Sequence, residues 1–354
     1  MVFVVASQCL VAQNKEVVAK NGDGIYKILK RNGLDPEKYT DSFIELNKTR
    51  LGKNNSLFIG VKYKLPDTSK KTPESLAPGT STLDIPQSTE NTAPEAPSKV
   101  TETAVKATGK TLNFNIFGSK YANVEIKSNE LKGAIYYLKS GHGGPDPGAV
   151  GKYQNHMVCE DEYAYDVTLR LARNLIEKGA TVYMITIDKN DGIRDESFLK
   201  ADKDEVCYPN QTIPLNQVKR LHQRVEAVNQ LYNKNGNAFQ RLVVIHVDSR
   251  SKGENIDIFF YHDSKSNTGK RTATILQNTF NNKYNKHQPG RGYRGTVSSR
   301  NLYVLKNTYP AGVYIELANI NHQRDIKRLI ILDNRQAVAN WLSEGLVVDF
   351  KTNK

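Results

Sequence analysis

The sequence predicts an α/β fold: a mostly parallel central sheet flanked by helices, preceded by a small βααβ module. Three observations carry that expectation. The run Ile135-Tyr136-Tyr137-Leu138 is β-branched and aromatic, as a buried strand is, and it soon breaks into Gly141-His142-Gly143-Gly144. Residues 159–187 read as a helix with an apolar stripe followed by a second strand, a β-α-β unit. Two more continuous apolar runs, 242–248 and 313–317, have strand length and carry His246 and Glu316.

Composition sets the bounds. The 354 residues allow one large domain with a smaller companion. An apolar fraction of 38% and a mean hydropathy of −0.57 fit a soluble chain, and no run is long enough to span a bilayer. The 50 Lys and Arg outnumber the 37 Asp and Glu, leaving a charge of +13 that favours negatively charged surfaces such as acidic lipid and cell-wall polymers. Nucleic acid is set aside as a partner because the chain shows no nucleic-acid-binding motif.

Taken in order, residues 1–13 are apolar and rich in small side chains, resembling the end of a secretory h-region with a cleavage zone near Ala12. They predict an exported protein of the periplasm or cell envelope, with the basic part of the signal lying ahead of this start. A lipoprotein anchor at Cys9 is rejected, because Gln8 stands where a small residue is wanted. Beyond the leader only Cys159 and Cys207 remain, at most one disulfide, so the fold does not depend on cystines.

Residues 16–66 read as strand, helix, helix, strand. Gly22-Asp23-Gly24-Ile25-Tyr26 opens the first helix and Asn32-Gly33 closes it; 42–47 is a second, short helix, and 57–66 a returning strand. With its central Leu46-Asn47 and closing Tyr63-Lys64-Leu65-Pro66, this stretch resembles a LysM module, which implies glycan binding. Residues 67–110 are crowded with Pro, Ser, Thr, Glu and Lys, and bury too little apolar surface to offset ordering entropy, so they form a disordered linker. The remainder, 111–350, is the catalytic domain. Alternation over 112–131 predicts edge strands leading into the central one.

The helix beginning near Glu160 carries Ala164, Val167, Leu171 and Leu175 on one face and stops at Gly179. Acids crowd its first turn, where complementing the helix dipole accounts for them without any further role. Residues 189–216 form a long polar connection. Its Ile193, Phe198, Leu199, Val206 and Tyr208 are expected to dock on a surface. Its Asp191, Asp195, Glu196, Asp202, Asp204 and Glu205 are expected to stay solvated, making a cleft wall or a lid. Helices over 218–232 and 272–281 and a strand over 256–261 complete the domain.

Three strand ends thus deliver His142, His246 and Glu316, and a helix start delivers Glu160 or Glu162. Two imidazoles and a carboxylate make a zinc donor set with a position left for water. A second carboxylate beside that water is the acid/base that amide hydrolysis needs. Glu316, inside an apolar strand, calls for a partner or a raised pKa.

At this point the chain resembles the zinc-dependent N-acetylmuramoyl-L-alanine amidases of the amidase 3 type. The match is carried by 140–149, the acidic helix start, Val244-Ile245-His246-Val247-Asp248-Ser249, and 302–307 leading into 313–317, and it spans about 134–348. The resemblance implies a phosphorylase/hydrolase-like fold, Zn2+ as cofactor, peptidoglycan (glycan strands and stem peptide) as substrate, and cleavage between N-acetylmuramic acid and L-alanine. It implies His142, Glu160 and His246 as ligands and Glu316 as catalytic acid/base, with Glu160 favoured over Glu162 by its distance from Gly179. The chain departs from the family's usual Ser-Ile-His-Ala-Asn and Val-Glu-Val-Gly-Phe segments at positions flanking His246 and Glu316, which touches substrate contacts rather than ligands. A zinc peptidase cutting within the stem peptide and a non-catalytic wall-binding protein are the alternatives. His156, His222, His262, His287 and His322 are expected at the surface, and Arg291, Arg294 and Arg300 along an anionic-substrate groove.

Overall fold

A computed structural model of the protein describes residues 15–20, 23–52, 55, 57–67, 109–249 and 253–353. The expected leader and nearly all of the expected linker lie outside these residues. The chain divides into two compact units, within 1–90 and 91–354.

In the first unit, β1 (Glu16–Val18) pairs antiparallel with β2 (Lys62–Lys64), and α1 (Ile25–Arg31) and α2 (Pro36–Leu46) lie between them in sequence. Gly33, at φ +74, supplies the left-handed residue that ends α1. Asn47 is fully buried and joins the second helix to the closing strand. Its Nδ2 donates to the carbonyls of Phe43 and Lys64, and its Oδ1 accepts from the Lys64 amide at 2.7 Å. Ile28, Leu29, Phe43 and Tyr63 close a small core around it.

The second unit begins with β3 (Thr111–Asn113) and β4 (Asn123–Glu125), followed by β5 (Ala134–Ser140). A hairpin of β6 (Val150–Tyr153) and β7 (His156–Cys159) leads into α3 (Glu160–Glu177). Next come β8 (Thr181–Met184), β9 (Thr186–Ile187), β10 (Val206–Cys207), β11 (Gln211–Thr212), α4 (Gln217–Asn235) and β12 (Phe239–Asp248). The chain ends through β13 (Phe259–His262), α5 (Asn267–His287), β14 (Val297–Ser299), α6 (Tyr303–Asn307), β15 (Ala311–Asn319), α7 (Lys327–Ile330) and α8 (Leu332–Lys351).

The central sheet has the order β14-β13-β15-β12-β5-β8. The four strands from β15 to β8 are parallel, and β13 runs against β15. Side chains alternate across the sheet, so one face packs Leu138, Val243, Ile245 and Ile315 against α3, α5 and α8, and the other packs Tyr137, Val244 and Leu242 against α4 and α6. With both faces covered, the strands are mostly apolar, although Lys139 in β5 and Gln240 and Arg241 in β12 are buried polar residues. At the carboxyl ends His142, His246 and Glu316 interrupt the pattern.

Several expectations need correction. The 112–131 strands form a separate antiparallel pair, β3 with β4, rather than edges of the central sheet. His262 is buried at the end of β13 with its Nδ1 on the Asp263 carbonyl, not at the surface. The 189–216 connection is part of the core: Ile193, Leu199 and Val206 are buried, and β10 sits between β9 and β11 in a three-stranded sheet. Its acids are not simply solvated, since Glu205 is buried and Asp191 pairs with Arg194. Buried Asp166 holds Arg170 and Arg335, and these two guanidiniums donate to the carbonyls of Arg194 and Glu196, which ties the segment to α3 and α8.

Candidate metal centre and active site

The glycine-rich loop after β5 is built around one side chain. His142 itself adopts φ +56, and Arg224 from α4 donates to its carbonyl oxygen. Its Nδ1 lies 2.9 Å from Asp146 Oδ2, which Arg220 Nη2 in turn contacts at 2.6 Å. Arg220 and Arg224 are one turn apart on α4, so one helix face anchors both the loop backbone and the carboxylate that orients the ring.

The same loop caps α3. The amide of Glu160 donates to the Ala149 carbonyl and that of Asp161 to the Pro147 carbonyl, so the orphan donors of the helix start are satisfied by the loop that carries His142. Glu160 then turns back between the two imidazoles. Its Oε1 lies 2.8 Å from His246 Nδ1 and accepts from the Val247 amide at 3.0 Å, while its Oε2 lies 3.3 Å from His142 Nε2 and accepts from the Ala149 amide. Two glycines make room for this convergence: a Cβ on Gly141 would sit 2.4 Å from the His246 ring, and one on Gly148 would sit 2.7 Å from both Glu160 Oε2 and the His142 ring.

His142, Glu160 and His246 each offer a donor atom within 4.8 Å of the others. Glu162 belongs elsewhere, taking Arg194 Nη2 at 2.8 Å and the Asp202 amide at 3.1 Å. Glu316 stands beside the group and outside it, opposite His246 in the β12–β15 ladder. Its Oε1 is 3.8 Å from Arg300, and its buried Oε2 has no hydrogen-bond partner among the described residues.

Electrostatics separate these groups. Burial disfavours the charge on His142, yet Asp146 and Glu160 outweigh it and lift the pKa to about 9. Burial dominates at His246 and lowers it to about 3. Burial works against the Glu160 carboxylate too, but the two histidines hold its pKa well below the usual range. Glu316 is pushed well above that range, first by burial and then by the charges of Glu160 and Asp248. Two interacting carboxylates are thereby given opposite proton affinities.

The donor set suits zinc: two imidazole nitrogens and one carboxylate oxygen, aimed together, with His142 oriented by a carboxylate on its far nitrogen. Of the arginines expected along a groove, Arg300 lies near Glu316 and over the Tyr261 ring, whereas Arg291 is taken up by Asp257. Sequence reasoning missed Asp146, Arg220, Arg224 and Lys139. Lys139 was visible as a lone cation in an apolar strand, and Asp146 stood inside the loop motif itself.

A protein-family description, N-acetylmuramoyl-L-alanine amidase, matches residues 137–347. Among solved structures, the CwlD amidase from Clostridioides difficile, determined in complex with the GerS lipoprotein, is 19% identical with a TM-score of 0.47, over 62% of this chain and 98% of that one. The amidase AmiC2 of Nostoc punctiforme is 18% identical with a TM-score of 0.44, over 63% and 99%. The catalytic domain of CwlV from Bacillus (Paenibacillus) polymyxa is 20% identical with a TM-score of 0.44, over 62% and 98%. No curated protein matches the chain.

Proposed function

The chain belongs to the N-acetylmuramoyl-L-alanine amidases, and on that premise we propose that His142, Glu160 and His246 hold zinc while Glu316 moves the proton. The enzyme is a peptidoglycan amidase, cutting between N-acetylmuramic acid and L-alanine. The observation that carries the zinc reading is the convergence of three donor atoms within 4.8 Å beside a fourth acidic group that stays outside them.

Zinc, when bound there, supplies Lewis acidity to the scissile carbonyl and to water. The protein's residues do the rest. Asp146 and Arg220 fix the His142 ring, and the Val247 and Ala149 amides fix the Glu160 carboxylate. Glu316, with a free oxygen and a raised proton affinity, accepts a proton from the attacking water and delivers it to the leaving amine nitrogen. Arg300 neighbours Glu316 and is suited to steady the charge it carries before the transfer.

The N-terminal unit we read as a LysM-like glycan-binding module at 16–66, joined by the linker at 67–110 and preceded by a secretory leader remnant at 1–13. Its βααβ order and the exposed apolar pair Phe58 and Ile59 support a sugar-facing surface. An amidase of cell wall acts outside the cytoplasm, which supports export to the periplasm or envelope. Among the described residues no helix is long and apolar enough to cross a membrane.

Mass-spectrometric analysis of products from purified muropeptides tests the proposal together with zinc content. Intact stem peptide and peptide-free muramic acid, with one zinc per chain, are expected. Fragments cut within the stem peptide, or full activity in metal-free protein, would overturn it.

A further inference from the structure

In the same first turn as Glu160, the structure gathers a second set of acids. Asp161, Glu162 and Glu205 are all buried, at 1%, 2% and 5% exposure, and each presents an oxygen within 4.8 Å of the other two. Arg194 answers only Glu162, and it is shared with Asp191. Among the described residues neither Asp161 nor Glu205 has an ion-pair partner. Asp161 uses Oδ1 on the Glu162 amide, and its buried Oδ2 has no hydrogen-bond partner among the described residues. A buried carboxylate with an orphaned oxygen, grouped with two further carboxylates, is costly in its charged form unless a positive charge sits among them.

We propose that Asp161, Glu162 and Glu205 form a second cation site, distinct from the His142 group, that takes a hard divalent ion of the calcium class. The donors are all carboxylate oxygens with no imidazole or thiolate, which favours calcium or magnesium chemistry over zinc. Calcium accepts carboxylate donors in flexible, irregular geometry, whereas magnesium demands a near-ideal octahedral cage and keeps several of its waters.

The ion has a structural task that follows from where the three acids sit. Asp161 and Glu162 belong to the first turn of α3, and Glu205 immediately precedes β10 in the 189–216 segment. Glu205 Oε2 also accepts from the Gly144 amide at 2.6 Å, two residues past His142. A cation among them joins the helix start, the long segment and the glycine-rich loop at one point. It thereby holds the wall of the cleft against the loop that carries an imidazole of the active site.

The test uses the whole protein with its own tightly held metal, passed over chelating resin and dialysed against calcium. Wild type is expected to take up one calcium per chain and to gain several degrees in Tm. Glu205→Gln, which keeps the acceptor for Gly144 but loses the charge, should weaken calcium binding at least tenfold with its zinc content unchanged. Asp161→Asn is the second variant should the first fail to fold, and the same loss is expected. Asp204→Asn serves as the control, since Asp204 belongs to a separate acidic group with Asp188 and Asp202, and it should bind as wild type does. No calcium uptake by wild type, uptake undiminished in Glu205→Gln or Asp161→Asn, loss in Asp204→Asn instead, or uptake of a second zinc in place of calcium would each overturn the proposal.

Discussion

His246 and Glu316 occupy the same rung of the parallel ladder between β12 and β15, so they leave the sheet side by side on one face. The face is fixed by Tyr314, two residues before Glu316, whose ring stacks on His246 at 4.4 Å. One side chain enters the donor group and its neighbour does not. Removing the Glu316 carboxylate should therefore separate turnover from metal binding. Glu316→Gln is expected to keep zinc and fold while kcat falls about 10²- to 10⁴-fold, the usual worth of a positioned proton carrier. Zinc analysis beside amidase assays checks it, and loss of zinc in that variant would make Glu316 a ligand.

Glu160 and Glu162 sit two residues apart and face different partners, so alanine at each should give different losses. Glu160→Ala is expected to lose zinc, because its carboxylate is the group between both imidazoles. Glu162→Ala should keep zinc and lose about 2 kcal/mol of stability, because Arg194 is left with Asp191 alone and the Asp202 amide loses its acceptor. Metal analysis and chemical denaturation read the two effects, and the opposite pattern would reverse the assignment.

Gly141 is needed for space. An added methyl would stand 2.4 Å from the His246 ring, and a ring stacked on Tyr314 cannot retreat without displacing its own donor nitrogen. Gly141→Ala is expected to lower zinc affinity by at least tenfold while far-UV circular dichroism stays that of wild type. Undiminished affinity would show that the ring has room to move.

Much of this arrangement was legible in the sequence, and for a physical reason. A sheet buried on both faces writes long apolar runs, and polar residues at the ends of such runs stand out, as His142, His246 and Glu316 do. Elements held by pairing rather than periodicity left no such trace. The β6–β7 hairpin and the two-residue strands β9, β10 and β11 are too short for a repeat to register. The anchoring of His142 was hidden for another reason: Asp146 and Arg220 meet across 74 residues of chain, a distance that local pattern does not bridge. The 189–216 segment misled by composition, since its acids look solvated until Arg194 and the interior of the fold receive them.

Lys139 gives the fold a pH signature of its own. It is 3% exposed, and among the described residues the one hydrogen bond of its ammonium runs to the Ser140 carbonyl at 3.4 Å. Burial, and then the nearby Arg224 charge, lower its pKa to about 7. Because the unfolded value is near 10.4, the unfolded chain binds more protons between the two, and stability rises with pH across that window. From pH 7 to 9 wild type should gain about 2 kcal/mol from this group. Lys139→Met should be more stable at pH 7 and show no such rise. Urea titrations at several pH values measure both, and parallel curves for the two proteins would refute it.

The order of strands in the central sheet also governs when the enzyme comes into being. β5, β12 and β15 are neighbours in space, yet β5 ends at Ser140 and β15 begins at Ala311. Such pairing closes long loops and is completed late in folding. A chain still emerging from the ribosome holds both His142 and Glu160 long before it can present Glu316. Hydrolytic competence is thus withheld until nearly the whole catalytic unit has been delivered and folded.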